Sequence, residues 1–317
     1  VSVMSARMTI SLISFLSKDA DRAARKLNLL EVVRLPRMAG LVWPRSDAMS
    51  GVWRVVLAAS LVSLSACQAV NTTQGGAVGV DRKQYMFSMV STEQVNQQYA
   101  QAYRQTVQKA ASEGLLERGT ADSRRLNAIA QRLIAQAPVF RADAAQWQWE
   151  VNLVDSPELN ANCGPGGKII FYSGLIDKLR LSDDEIAAVM GHEIAHALRE
   201  HGREAMSKAY GVQMATQLGG ALGFGDAMQV ANVGVEYLMT LPNSRGNENE
   251  ADLIGIELAA RAGYDPNAAI SLWQKMAQAN AGAPPEFMST HPSSSSRISA
   301  LQAAIPKVMP LYQQARR

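Results

Sequence analysis

Cysteine is nearly absent: the 317-residue chain holds two, Cys67 and Cys163. That excludes a disulfide-stapled scaffold and a four-thiolate zinc module. Aromatic residues make up 6% of the chain and charged residues 19%, against 47% hydrophobic. The balance is too apolar for intrinsic disorder and ample for a buried core. The body of the chain has no clean apolar run of the roughly 18 residues that a spanning helix needs. Nor does a repeat recur at a period of roughly 20–50 residues, which argues against a helical-repeat module.

Positive charge is also scarce once its location is considered. The net of +3 comes from 31 Lys and Arg against 28 Asp and Glu. Residues 1–66 hold nine basic and four acidic side chains, so the remainder carries 22 against 24, a net of −2. A phosphate-binding surface needs clustered positive charge, and nucleic acid is therefore not an expected partner.

The basic end reads as an address. Met49–Arg54 is a short positive start, Val55–Ala66 supplies twelve apolar or small residues, and Cys67 follows. These are the proportions of a secretory signal, too short to cross a bilayer comfortably. The alternative is a buried apolar helix that ends in cysteine. Leu64-Ser65-Ala66-Cys67 resembles the lipobox of bacterial lipoproteins. The resemblance implies cleavage before Cys67 and a lipid on its sulfur; Gln68 in the next position implies the outer membrane. Residues 1–66 are thus expected to be a leader, with 1–48 a mis-assigned start and 49–66 the signal peptide. Residues 67–90 read as a lipid-anchored tether, and 91–317 as the folded domain. Cys163 is then expected to be a lone buried or incidental thiol.

Hydrophobic spacing predicts helices over 92–112 and 121–136, then a strand with Trp147, Trp149, Val151 and Leu153 on one face. Residues 160–167 read as a turn and Lys168–Tyr172 as a second strand. Ser182-Asp-Asp-Glu185 is a capping box opening a helix that runs to about Glu200. Further helices are predicted over 226–240, 247–262, 267–279 and 293–304, with a loop at 282–292. The expected class is α+β, helix-rich, with one small sheet. Residues 209–225, uncharged and rich in glycine, read as a mobile lid or as a packed connection.

The capped helix contains His192-Glu193-Ile194-Ala195-His196. Two histidines at i and i+4 lie about 40° apart on a helix, so both rings reach one metal ion. Glu193 projects beside them, where a carboxylate can deprotonate a water. A metzincin would carry Gly at 199 and His at 202, but this chain has Arg199 and Gly202. His201 lies about 140° round the helix from His196, and is expected to be structural rather than a ligand. Glu248 and Asp252 share a helix face, while Glu250 points about 200° away from Glu248. One carboxylate of such a pair can ligate zinc while the other accepts the outer N–H of a ligand histidine. Glu248 is expected as ligand, Asp252 as orienter and Glu250 as neither; a solvated acidic face is the alternative.

Four motifs carry a resemblance that spans about Ser91 to Leu301. They are Pro157–Ala161 with Gly166-Gly167 and Gly174-Leu175, His192–His196, Arg245–Asp252, and Thr290-His291-Pro292 with Arg297. In order and spacing the chain resembles the gluzincin metalloproteases of the HtpX, BepA and CAAX prenyl protease group, nearest to its LoiP-like lipoprotein branch. The resemblance implies a zincin-type fold, one Zn2+ held by His192, His196 and Glu248, and Glu193 as general base for zinc-activated water. It implies that His291 latches the open zinc position, the alternative being a loop histidine bonded to backbone. Arg297 is placed by it at the developing oxyanion, the alternative being a structural cap or ion pair. It also places Asn160, Gly167, Lys168, Ile169 and Ile170 at an edge where a substrate strand adds, ordinary sheet pairing being the alternative.

The function so implied is a periplasmic metalloendopeptidase cleaving misfolded or unassembled outer-membrane proteins, with the outer-membrane assembly machinery as a further partner. A non-cleaving assembly chaperone that holds clients at the same edge is the alternative.

Overall fold

The computed structural model describes residues 67–221, 244–279, 286–291 and 295–317. The expected leader, the helix expected over 226–240 and residues 282–285 and 292 of the expected loop lie outside the described residues, while Glu286–Thr290 of that loop form a short helix.

The elements run β1 (Cys67–Val70), β2 (Gln84–Phe87), α1 (Thr92–Ser112), β3 (Leu116–Glu117), α2 (Ala121–Ile134), β4 (Glu150–Val154), β5 (Ala161–Gly164) and β6 (Lys168–Tyr172). They continue with α3 (Ser173–Leu179), α4 (Asp183–Leu198), α5 (His201–Ala221), α6 (Arg245–Arg261), α7 (Ala268–Ala279), α8 (Glu286–Thr290) and α9 (Ser295–Ala315). The class is helix-rich α+β, as expected from the sequence. Residues 209–221, expected as part of a lid, continue helix α5. The last helix is far longer than the 293–304 expected, running through Pro306 and Pro310.

The main sheet has the order β3-β4-β6-β5, with β4 parallel to β6 and β5 antiparallel to it. Strand β6, with the buried run Lys168–Phe171, is therefore central. Strand β5 is short, polar and at the edge, where the sequence pattern suggested only a turn. Gly166 and Gly167 close the β5–β6 hairpin at φ 73° and 81°, a conformation open to glycine. Trp147 and Trp149, expected in the strand, precede β4 and pack on the core instead.

Residues 67–90 are not the loose tether that their composition suggested. Strand β1 pairs antiparallel with β2, from Cys67 opposite Phe87 to Val70 opposite Gln84. Val78, Val80 and Met86 are buried, so the segment contributes apolar side chains to the fold.

Helix α4 is the centre of the structure. Every residue from Glu185 to Leu198 is buried, and its closest neighbour is α6. The two helices meet at paired glycines: a Cβ on Gly191 would lie 2.7 Å from the Gly255 carbonyl oxygen, and one on Gly255 2.8 Å from the His192 nitrogen. No side chain fits between them. Gly255→Ala is expected to cost about 1–3 kcal/mol through overpacking. That corresponds to a fall in melting temperature of roughly 3–10 °C; an unchanged thermal midpoint would show that the helices can separate freely.

Candidate metal centre

The cap of α4 sets which residues face inward. Ser182 Oγ accepts from the Glu185 N–H at 3.2 Å, and Glu185 Oε2 accepts from the Ser182 N–H at 2.9 Å. Two to three turns later, His192 and His196 bring their Nε2 atoms to 3.1 Å of each other. Across the glycine contact, α6 places Glu248 Oε1 3.3 Å from His196 Nε2, and Oε2 3.4 Å from His192 Nε2. His291, at the end of α8, closes the group: its Nδ1 lies 3.2 Å from His192 Nε2 and 3.1 Å from Glu248 Oε1. All four side chains are buried, with one donor atom from each within 4.8 Å of the others.

This geometry fits a shared cation. Ring nitrogens that face one another at hydrogen-bond distance are acceptors in search of a proton or a metal. The three imidazoles and one carboxylate are also a donor set that suits zinc. Burial works against charge on His192, but Asp252 and Glu248 outweigh it and raise the ring to about 9. His196 goes the other way: burial holds it well below the usual histidine range, which favours the neutral ring that metal ligation needs. Burial also opposes the charge of Glu248, yet His291, His192 and His196 hold its carboxyl far below the carboxylate range.

Glu193 stands one residue beyond the first ligand and is 3% exposed. Its Oε1 has no hydrogen-bond partner, although His291 Nε2 approaches to 3.4 Å. Burial raises its pKa, partly offset by the neighbouring His291 and His192 rings. An unsatisfied carboxylate oxygen with a raised pKa is suited to taking up a proton.

Asp252 is where the helical spacing put it. Its Oδ1 accepts from His192 Nδ1 at 3.0 Å, which leaves Nε2 of that ring for the metal. Arg297, given the oxyanion role by the resemblance, lies here against two carboxylates. Its Nε and Nη2 each donate to Asp252 at 2.6 Å, and Nη1 forms an ion pair with Glu248 Oε2 at 2.8 Å. Its guanidinium carbon sits 3.8 Å above the Trp273 ring. The arginine is thus bound to the carboxylates behind the ligands, which is the ion-pair alternative.

The substrate edge also moves. Lys168, Ile169 and Ile170 lie in β6, whose two sides are taken by β4 and β5, so no further strand adds there. The open edge is β5. Asn160 oxygen accepts from Tyr172 N–H on the β6 side; by alternation, the backbone groups of Ala161 and Cys163 face outward. Gly167 belongs to the hairpin turn rather than to an edge. Cys163 itself is buried and free.

His201 and Glu250, neither of them expected as a ligand, lie outside the cluster, but their contact with it was not foreseen. His201 is no ligand, but its Nδ1 is 2.9 Å from His196 Nδ1, and its Nε2 is 3.2 Å from Glu250 Oε2. Glu250 in turn pairs with Arg199 at 2.8 Å and with Arg82. The only sequence signal was position: a histidine five residues past His196, and a carboxylate two past Glu248.

A sequence profile for peptidase family M48 matches residues 120–305. Mitochondrial metalloendopeptidase OMA1 of Saccharomyces cerevisiae is 34% identical over 181 residues, covering 53% of this chain and 50% of the relative. Metalloendopeptidase OMA1, mitochondrial, of Homo sapiens is 33% identical over 181 residues, covering 52% and 34%. The beta-barrel assembly-enhancing protease of Escherichia coli is 30% identical over 203 residues, covering 60% and 40%. The matched part of the chain spans half or less of these relatives' length.

Proposed function

Because the chain belongs to peptidase family M48, we propose that it is a zinc metalloendopeptidase in which His192, His196 and Glu248 hold one Zn2+ and Glu193 is the general base. The observation that carries this reading is the buried Glu193 Oε1, without a hydrogen-bond partner, beside four converging side chains able to hold a metal ion. A bound zinc ion supplies Lewis acidity to water and to the scissile carbonyl. The protein's own groups do the rest. Glu193 takes the proton of the attacking water and gives it to the leaving amine nitrogen. The outward carbonyl oxygens of Ala161 and Cys163 on β5 hold an extended chain by strand addition, the Ala161 N–H being held by Asn160 Oδ1 at 2.9 Å; such pairing demands little side-chain sequence and suits unfolded substrates. His291 occupies the fourth position of the cluster and withdraws for turnover, which makes the resting enzyme latent.

The lipobox-like Leu64–Cys67 string supports lipid anchoring at Cys67 and a periplasmic, outer-membrane location. Similarity to a relative named for β-barrel assembly supports misfolded or unassembled outer-membrane proteins as clients, and contact with their assembly machinery. Other relatives carry mitochondrial names; the Cys67 string is what favours the bacterial envelope here.

Chelation tests the reading. Zinc-loaded protein, or its His291→Ala variant, is expected to cut unfolded casein, to stop on treatment with 1,10-phenanthroline, and to recover with added zinc. Zinc-loaded forms that bind casein and never cut it would give the protein to the chaperone reading instead.

A further inference from the structure

We propose that His201 and Glu250, with Arg82 from the N-terminal segment, form a positioning relay for the zinc ligand His196, so that the β1–β2 segment is part of the metal site. The inference rests on the metal-centre reading above and extends it to residues outside the ligand set.

The proton assignment follows from geometry. His196 Nε2 faces His192 Nε2 and Glu248, so its proton sits on Nδ1 when Nε2 ligates. That Nδ1 is 2.9 Å from His201 Nδ1. His201 must then accept at Nδ1 and carry its own proton on Nε2, where Glu250 Oε2 receives it at 3.2 Å. The chain ends on a carboxylate flanked by two guanidinium groups. Arg199, 0% exposed, donates to Glu250 Oε2 from Nε at 2.9 Å, and Arg82 donates to both oxygens of the same carboxylate.

His192 has a shorter version of this arrangement in Asp252 and Arg297. The two ligand histidines are thus each fixed by a carboxylate backed by arginine, one directly and one through an intervening imidazole. Such outer partners fix tautomer and ring orientation and commonly change metal affinity by roughly 10–100-fold.

Arg82 is brought in by chain that precedes the domain. It also pairs with Glu204 at 2.8 and 2.9 Å and bonds Asn247 at 3.0 Å. Its own backbone oxygen accepts from Arg199 at 2.8 Å, while Asn71 and Thr73 accept from the same guanidinium at 3.2 Å. Gln84 donates to the Arg199 carbonyl at 2.7 Å. The N-terminal segment therefore supplies polar partners to the relay from several points.

The test is zinc affinity by chelator competition on residues 67–317, with the visible spectrum of the cobalt-substituted protein as a second readout. His201→Leu and Glu250→Gln are expected to weaken zinc roughly 10–100-fold and to shift the cobalt bands. His201→Asn, whose amide oxygen can stand in for Nδ1, is expected to recover most of the affinity. Arg82→Gln, at the partly exposed end of the relay, is expected to fold and to lose a smaller factor, about 3–10-fold. Zinc affinity within twofold of the parent in Arg82→Gln and in every folded His201 or Glu250 variant overturns the relay. So does loss of affinity that His201→Asn fails to recover. A parent that binds no zinc overturns the metal centre, and the relay with it.

Discussion

Glu193→Gln is expected to lower casein cleavage by roughly 10²–10⁴-fold, the usual contribution of a positioned general base, while zinc remains bound. The amide keeps the shape of the carboxylate and removes the ability to take up a proton. Glu193 is not needed to complete the ligand set, since His192, His196, Glu248 and His291 converge without it. The variant also removes a buried charge, whose desolvation is the main cause of the raised Glu193 pKa. Its thermal stability should therefore equal or exceed that of the parent. Cleavage retained within a factor of ten would require a different base; loss of cleavage together with loss of zinc would mean that Glu193 belongs to the metal's support.

Arg297→Leu is expected to act on stability more than on chemistry. The side chain is 4% exposed and pairs with both Asp252 and Glu248. Its removal leaves two buried carboxylates short of positive charge, a change that typically costs about 3–5 kcal/mol. The metal-free protein should melt roughly 6–20 °C lower, and zinc affinity should fall because Asp252 loses its hold on His192. Arg297→Lys should recover part of this only, since an ammonium cannot reproduce the two parallel bonds to Asp252. A variant that keeps its melting temperature and its zinc but no longer cleaves would return Arg297 to the reacting carbonyl.

The candidate metal centre was legible in the sequence wherever helical spacing does the positioning. A capping box fixes the start of α4, His192 and His196 follow from i and i+4, and Glu248 with Asp252 repeats that logic on α6. What spacing cannot give is contact between elements. Arg297 was visible as a residue, but nothing in its neighbourhood along the chain says that it meets Asp252 across 45 residues. The His201–Glu250 contact crosses 49 residues and is invisible for the same reason.

The sheet misled for a different reason. Hydrophobic density marks strands that are covered on both faces, so the Ile169-Ile170-Phe171 run identified the central strand. Edge strands are short and polar, and Ala161-Asn-Cys-Gly164 has the composition of a turn. The segment before α1 misled in the same way. Its Asn71, Thr73, Arg82 and Gln84 suggested solvent, but they face buried charges in α5, α6 and the turn before α5. Polar composition predicts exposure only when no buried ion cluster needs those groups.

Pairing that begins at Cys67 has a consequence for where such an enzyme can work. A flexible linker over residues 67–90 would let the catalytic domain sweep a radius of roughly 25–30 Å about its attachment point. With Cys67 already opposite Phe87, that slack is absent. If Cys67 carries the anchor proposed above, the metal cluster stays within a short reach of the attachment point, and clients have to come to it rather than be swept up by it.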